Sequence, residues 1–225
     1  MKATKTLIAS AIVAATLSAP AMAVEGLSAN AAATSNYLWR GVTQSDDGAA
    51  VSGGIDYEAS NGIYVGTWVS NVDFGDDTSY EMDFYGGYAG EVGDFSYDIG
   101  LIYYAYPDGD DLNFAEAALS VSYSFLTVGV STMVYDDFAD GAEDEMFYYF
   151  ADAAFEVSEG LELGLHVGMS DGDTVEDWFG TSDYIDYNAS LSKDGFTLMV
   201  SKTDLDDGNM DDLKAAITYS VDFDL

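Results

Sequence analysis

One histidine, His166, and one arginine, Arg40, stand in a chain that carries 41 Asp and Glu residues. A Ser-His-acid hydrolase would have to use that histidine, because only an imidazole takes and returns a proton easily near neutral pH. The one Gly-x-Ser-x-Gly match, Gly168-Met169-Ser170-Asp171-Gly172, continues an alternating strand and is not the sharp strand-to-helix turn that exposes a nucleophile. His166 also falls in the polar phase of an alternating stretch, so it reads as a wall residue rather than a general base. The guanidinium of Arg40 forks onto carboxylates, and the expectation is a structural ion pair holding the first strand. Its other role would be a charge at the constriction of a pore. Asp204-Leu205-Asp206-Asp207-Gly208-Asn209 and Asp171-Gly172-Asp173 gather oxygen ligands as calcium loops do, but neither has the distal bidentate Glu. Weak, non-specific Ca²⁺ or Mg²⁺ binding by the loops is expected, and no dedicated cofactor. The chain has no cysteine, which excludes disulfides, thiol chemistry and Cys-zinc sites. These residues do not assemble into a catalytic set, and an enzyme is the class least supported.

The elements that must carry them alternate with period two. From Leu161 to Ser170, odd positions hold Leu, Leu, Leu, Val and Met, and even positions hold Glu, Gly, His, Gly and Ser. Such a stretch is a strand with one apolar and one polar face. The pattern recurs about twelve times. The predicted strands are Ser28 to Thr43, 51–59, 63–71, 80–88, 95–104, 113–123, 126–135, 146–157, 161–170, 184–192, 196–203, and a last one after Asp212. Connections after even-numbered strands are short and rich in Gly, Asn and Ser. Those after odd-numbered strands are mostly longer, and all are acidic. No segment has a helical period long enough to trust. An even number of antiparallel strands, with short turns at one end and long loops at the other, predicts an all-β fold: a single antiparallel transmembrane β-barrel with short periplasmic turns and longer acidic outer loops. A soluble β-sandwich has no reason to sort its loops by length and charge. The last strand alternates Ile217, Tyr219, Val221, Phe223 and Leu225 with polar residues, and a barrel in lipid must pair it with the first.

Residues 1–23 read as a cleaved secretory signal peptide: Lys2 and Lys5, an apolar run from Leu7 to Leu17, then Ala21-Met22-Ala23. Residues 24–225 are then the barrel domain, exported to the outer membrane of a Gram-negative bacterium. Without Lys2 and Lys5, four of the six Lys and Arg face all 41 acids. That balance repels nucleic acid and draws cations. Acidic chains can be disordered, but 17 Tyr, 12 Phe and 3 Trp give this one an ordered framework.

If the apolar face meets lipid, the polar face points inward. The candidate pore-lining residues are Arg40, Asp56, Glu58, Glu81, Asp83, Asp98, Glu116, Asp152, Glu156, Glu162, His166, Asp186, Lys214 and Asp222. An open lumen of this charge would prefer cations. The same carboxylates could equally be the wet wall of a plugged barrel. Tyr103, Tyr104 and Tyr106 beside a loop read as interfacial girdle and rim.

Three stretches carry a family resemblance: Ser35-Asn36-Tyr37-Leu38-Trp39-Arg40-Gly41-Val42-Thr43-Gln44; Gly62-Ile63-Tyr64-Val65-Gly66-Thr67-Trp68-Val69-Ser70-Asn71-Val72; and Tyr103-Tyr104-Ala105-Tyr106-Pro107. With them the chain resembles the TorF-type putative porins of proteobacteria. The resemblance implies an outer-membrane barrel and no catalytic residues. The function expected is passive, cation-preferring diffusion of small solutes. The alternative is a non-conducting barrel whose acidic loops serve adhesion or ion binding. The expected partners are outer-membrane lipid and lipopolysaccharide, the barrel assembly machinery, and small solutes or cations.

Overall fold

The structure, a computed structural model, describes residues 24–138, 145–206 and 208–225. The segment read as a signal peptide lies outside the described residues, as does most of the acidic stretch between residues 136 and 145.

Twelve antiparallel strands close into a barrel: β1 (Leu27–Thr34), β4 (Ala50–Glu58), β5 (Ile63–Asn71), β6 (Tyr80–Val92), β7 (Phe95–Ala105), β8 (Phe114–Tyr123), β9 (Leu126–Asp136), β10 (Phe147–Ser158), β11 (Leu161–Asp171), β12 (Asp183–Lys193), β13 (Phe196–Thr203) and β14 (Lys214–Asp224). Two short strands, β2 (Leu38–Trp39) and β3 (Val42–Thr43), form a separate hairpin. Every barrel strand pairs with its sequence neighbour. β1 pairs with β14 from Ser28↔Asp224 to Thr34↔Thr218, which leaves no free backbone edge.

The apolar phase of each strand faces outward. Ile99, Leu101, Val167 and Leu198 are about half exposed, which is the reverse of a water-soluble protein and the pattern of a wall meant for lipid. The turns at one end are short, such as Asp194-Gly195, where both residues take positive φ (50° and 81°) as a two-residue hairpin of the primed type requires. The six connections at the other end are longer.

The structure corrects the sequence reading in three places. The first strand stops at Thr34 rather than Thr43, and the next residues turn inward as the β2–β3 hairpin. Strand β6 runs on through the glycines to Val92, so its turn is Gly93-Asp94 and not the wider span from Gly90. The loop after β11 holds a seven-residue helix, α1 (Asp173–Phe179), with acids in its first turn and Gly180 closing it in the left-handed conformation.

Several rings lie against the inner wall over glycines one or two strands away. Phe150 covers Gly129, Tyr85 covers Gly66, Tyr148 covers Gly168, and Tyr64 covers Gly87 and Gly100; a Cβ at any of these glycines would collide with the ring.

Candidate functional site: the lumen and its inserted hairpin

Residues 35–49 leave β1 and fold into the barrel. Arg40 (φ 48°) and Gly41 (φ 80°) make the tip of the β2–β3 hairpin, both left-handed, again as a tight primed turn needs. Gly41 packs so closely on Thr203 and Asp186 that a side chain there would strike both. The base of the hairpin is tied by short polar residues. Asn36 Nδ2 donates to Asp47 Oδ1 at 2.8 Å, Thr43 Oγ1 donates to Asn36 Oδ1 at 2.7 Å, and Ser45 Oγ donates to the Gly48 carbonyl at 2.7 Å. Lys214 Nζ, on β14, donates to Asp47 Oδ2 at 2.7 Å. That bond to Lys214, with help from Asn36, holds the Asp47 carboxyl below the usual carboxylate range.

The hairpin reaches wall residues from β5 to β13. Tyr37 meets Trp68 on β5 edge-on and donates to Glu81 on β6. Trp39 packs on Tyr104 and Phe114, from β7 and β8, and on Trp178 of α1. Arg40 Nη2 donates to both oxygens of Glu116 on β8, at 2.6 and 2.7 Å, and to Ser131 Oγ on β9 at 3.1 Å. Its guanidinium carbon lies 4.2 Å from the ring centres of both Trp39 and Tyr148. The Tyr184 hydroxyl, on β12, donates to the Arg40 carbonyl at 3.2 Å. Arg40 and Glu116 are both almost fully buried. The expected ion pair is present, but Arg40 stands at a hairpin tip inside the barrel and not on strand one.

Around the hairpin, inward-facing side chains form an apolar core: Val42, Val72, Tyr104, Tyr106, Phe114, Met133, Met146, Val175, Tyr184 and Leu205, all buried. Tyr104 and Tyr106 therefore line the inside and are not girdle residues; only Tyr103 faces out, against Tyr135. The core fills the long-loop half of the lumen.

The short-turn half is polar and partly reached by water. Asp152 and His166 keep 27% and 18% of their side-chain surfaces. His166 Nδ1 lies 2.6 Å from Asp152 Oδ1 and Nε2 lies 3.0 Å from Asp186 Oδ1, while the Tyr148 hydroxyl is 2.8 Å from Nε2. A ring with a carboxylate at each nitrogen is fixed in place by both. Asp56 accepts from Asn30 and Tyr85, and Asp98 accepts from Tyr64 at 2.9 Å. Asp222, on β14, has Oδ2 buried without a partner. Glu58 and Glu156 are exposed at the short-turn rim, where Glu156 accepts from the Gly160 amide at 3.2 Å and faces Glu162 across β10–β11.

The fourteen candidate residues thus fall into separate groups. Arg40, Glu81, Asp83, Glu116 and Lys214 belong to the filled half. Asp186 and His166 stand at the boundary. Asp56, Asp98, Asp152 and Asp222, with Glu58, Glu156 and Glu162, belong to the short-turn half. Sequence alternation missed the inserted core. Its signal was the aromatics Tyr104, Phe114, Tyr148 and Tyr184 in the polar phase of their strands. No group of three or more His, Cys, Asp or Glu with metal-holding geometry occurs among the described residues.

Comparisons with known proteins agree with this architecture. The model of the bacterial family Gcw_chp, described as a bacterial protein of unknown function, matches residues 18–220, and the chain belongs to that family. No curated protein matches its sequence. Among solved structures it is similar to the KdgM porin (TM-score 0.56, 14% identity, 88% of this chain and 99% of that one). It is likewise similar to the KdgM porin in complex with disordered oligogalacturonate (TM-score 0.54, 11% identity, 88% and 98%). The NanC porin also shares the fold (TM-score 0.50, 12% identity, 87% and 97%). At these identities the likeness is one of fold: a closed twelve-strand porin-type barrel.

Proposed function

We propose that this member of the Gcw_chp family is an outer-membrane porin that passes small solutes by diffusion, cations in preference to anions, through a lumen narrowed by its own first long loop. The observation that carries the reading is the charge of the water-reached half. Asp56, Asp98, Asp152, Glu162 and Asp222 face inward there, with His166 as the one inward-facing basic side chain of that half among the described residues; Arg40 and Lys214 are held by Glu116 and Asp47 at the other end, and Lys193 and Lys202 stand in the outward phase of β12 and β13. A wall of carboxylates favours cations by direct electrostatics. KdgM has been solved with oligogalacturonate, a polyanion, and the acidic wall here opposes such a ligand.

The reading includes the resemblance to TorF-type putative porins and export by a cleaved leader. It includes lipid and lipopolysaccharide around the barrel, delivery by the barrel assembly machinery, and no enzymatic role. Single-channel recording of the refolded protein in a planar bilayer under a salt gradient tests it. Stepwise currents with a cation-selective reversal potential support it, and anion preference at neutral pH overturns it.

The filled long-loop half favours a second reading, a non-conducting barrel whose acidic loops bind ions or surfaces. Deleting the exposed long loops while keeping the hairpin separates the two: conduction survives in the first case, and surface binding is lost in the second.

A further inference from the structure

Glu81 and Asp83 stand two residues apart on the inward face of β6. Both are buried, with 2% and 6% of their surface exposed. Glu81 uses both oxygens: Tyr37 donates to Oε1 at 2.7 Å and Tyr106 donates to Oε2 at 2.5 Å. Acceptance at both oxygens is the behaviour of an ionised carboxylate. Asp83 is different, because its Oδ1 is buried and meets neither donor nor acceptor. A proton on that oxygen would have nothing to donate to, and a bare charge there would lack any compensation. Arg40 is taken by Glu116 and Lys214 by Asp47. No cationic side chain among the described residues bonds to either Glu81 or Asp83. Buried charge is not left in that condition; an orphaned carboxylate oxygen marks the place of an ion or water.

We infer that Glu81 and Asp83 form a binding site for a small divalent cation of the calcium class. Two buried carboxylates with no cationic partner select a charge of two, and an all-oxygen surrounding selects a hard ion. Ser70, buried and directly across from Glu81 on β5, and the hydroxyls of Tyr37 and Tyr106 bring neutral oxygens to the same place. Because Tyr37 belongs to the segment that enters the lumen, the ion also fastens that segment to β6. With only two acids, the affinity expected is that of the weaker oxygen sites, about 10⁻⁴ to 10⁻³ M. This site goes beyond the pore reading and does not depend on it, since a closed barrel would hold the ion equally well.

The test is equilibrium binding of Ca²⁺ to the chelator-treated, folded protein in detergent, with thermal unfolding followed in parallel. One saturable site per chain is expected above a weak loop background. Asp83→Asn and Glu81→Gln should each weaken it at least tenfold and remove the rise in unfolding temperature that Ca²⁺ gives. A loop variant, Asp204→Asn with Asp206→Asn and Asp211→Asn, should keep it. No saturable site in the unaltered protein, or unchanged binding in Asp83→Asn, overturns the inference. If the variants do not fold, the unaltered protein alone decides, by terbium titration. Tyrosine-sensitised emission saturating at one ion per chain, displaced by Ca²⁺ and retained in the loop variant, upholds the site, and its absence refutes it.

Discussion

The two halves of the lumen are enclosed by the same twelve strands and differ in what fills them. At the long-loop end, the β2–β3 hairpin, α1 and inward aromatics make a dry core around one ion pair, Arg40 with Glu116. At the short-turn end, carboxylates, hydroxyls and glycines line a wall that water reaches. The first half behaves as a small protein interior, where packing and a paired charge set stability. The second behaves as a surface folded inward, where carboxylates set the local potential and, on the pore reading proposed above, what passes. The lesson is that a strand's inward phase need not have one character along its length: β10 puts Tyr148 into the core and Asp152 into the wet wall, four residues apart.

The comparison breaks most sharply if the hairpin is removed. Replacing residues 37–46 by a short Gly-Ser link should raise single-channel conductance several-fold, and an unchanged current would mean that the hairpin does not obstruct the path. Next in size, Arg40→Ala leaves Glu116 buried and unpaired and should cost about 3–5 kcal/mol in urea unfolding of the reconstituted barrel. Arg40→Met combined with Glu116→Leu should restore most of that stability. Phe114→Ala removes a ring that touches Trp39, Tyr104 and Trp178. It should cost about 3 kcal/mol, whereas Phe95→Ala on the outer face should leave the hairpin's protection from proteolysis intact. In the wet half, Asp56→Asn with Asp98→Asn and Asp222→Asn should move the reversal potential toward zero with little loss of stability. The smallest effect belongs to Asp47. Its carboxyl titrates below the usual range because Lys214 holds it, so the pair's contribution is present above the ordinary carboxylate value and is lost as pH falls through the depressed one. Acidification should therefore loosen the hairpin base in the native protein and not in Asp47→Asn, as read by hydrogen exchange at residues 43–48.

The strands were legible because each presents one face to lipid and the other inward, and period two records that directly. Strand β5 and strand β13 match their expected bounds, and the long, acidic loops alternate with short turns as the sequence indicated. The hairpin was not legible because Tyr37-Leu38-Trp39-Arg40-Gly41-Val42 alternates as a strand would. Alternation alone does not distinguish a strand in the wall from a hairpin in the lumen, and Gly41 was the only local hint of a turn. Helix α1 is too short for its period to register, and only the acids after Gly172 and the closing Gly180 announced it. That Arg40 would find a carboxylate followed from its chemistry; which carboxylate, 76 residues away, was a matter of closure.

The glycines under Phe150, Tyr85, Tyr148 and Tyr64 carry a consequence for descent. Each ring lies along the wall only because the neighbouring strand gives it a recess, so a methyl group gained at Gly129 or Gly66 would swing a ring toward the barrel axis. Such a pair is inherited as one character: in divergent copies of this chain, glycine and aromatic should be exchanged together, and the bore of the passage should widen or narrow with them.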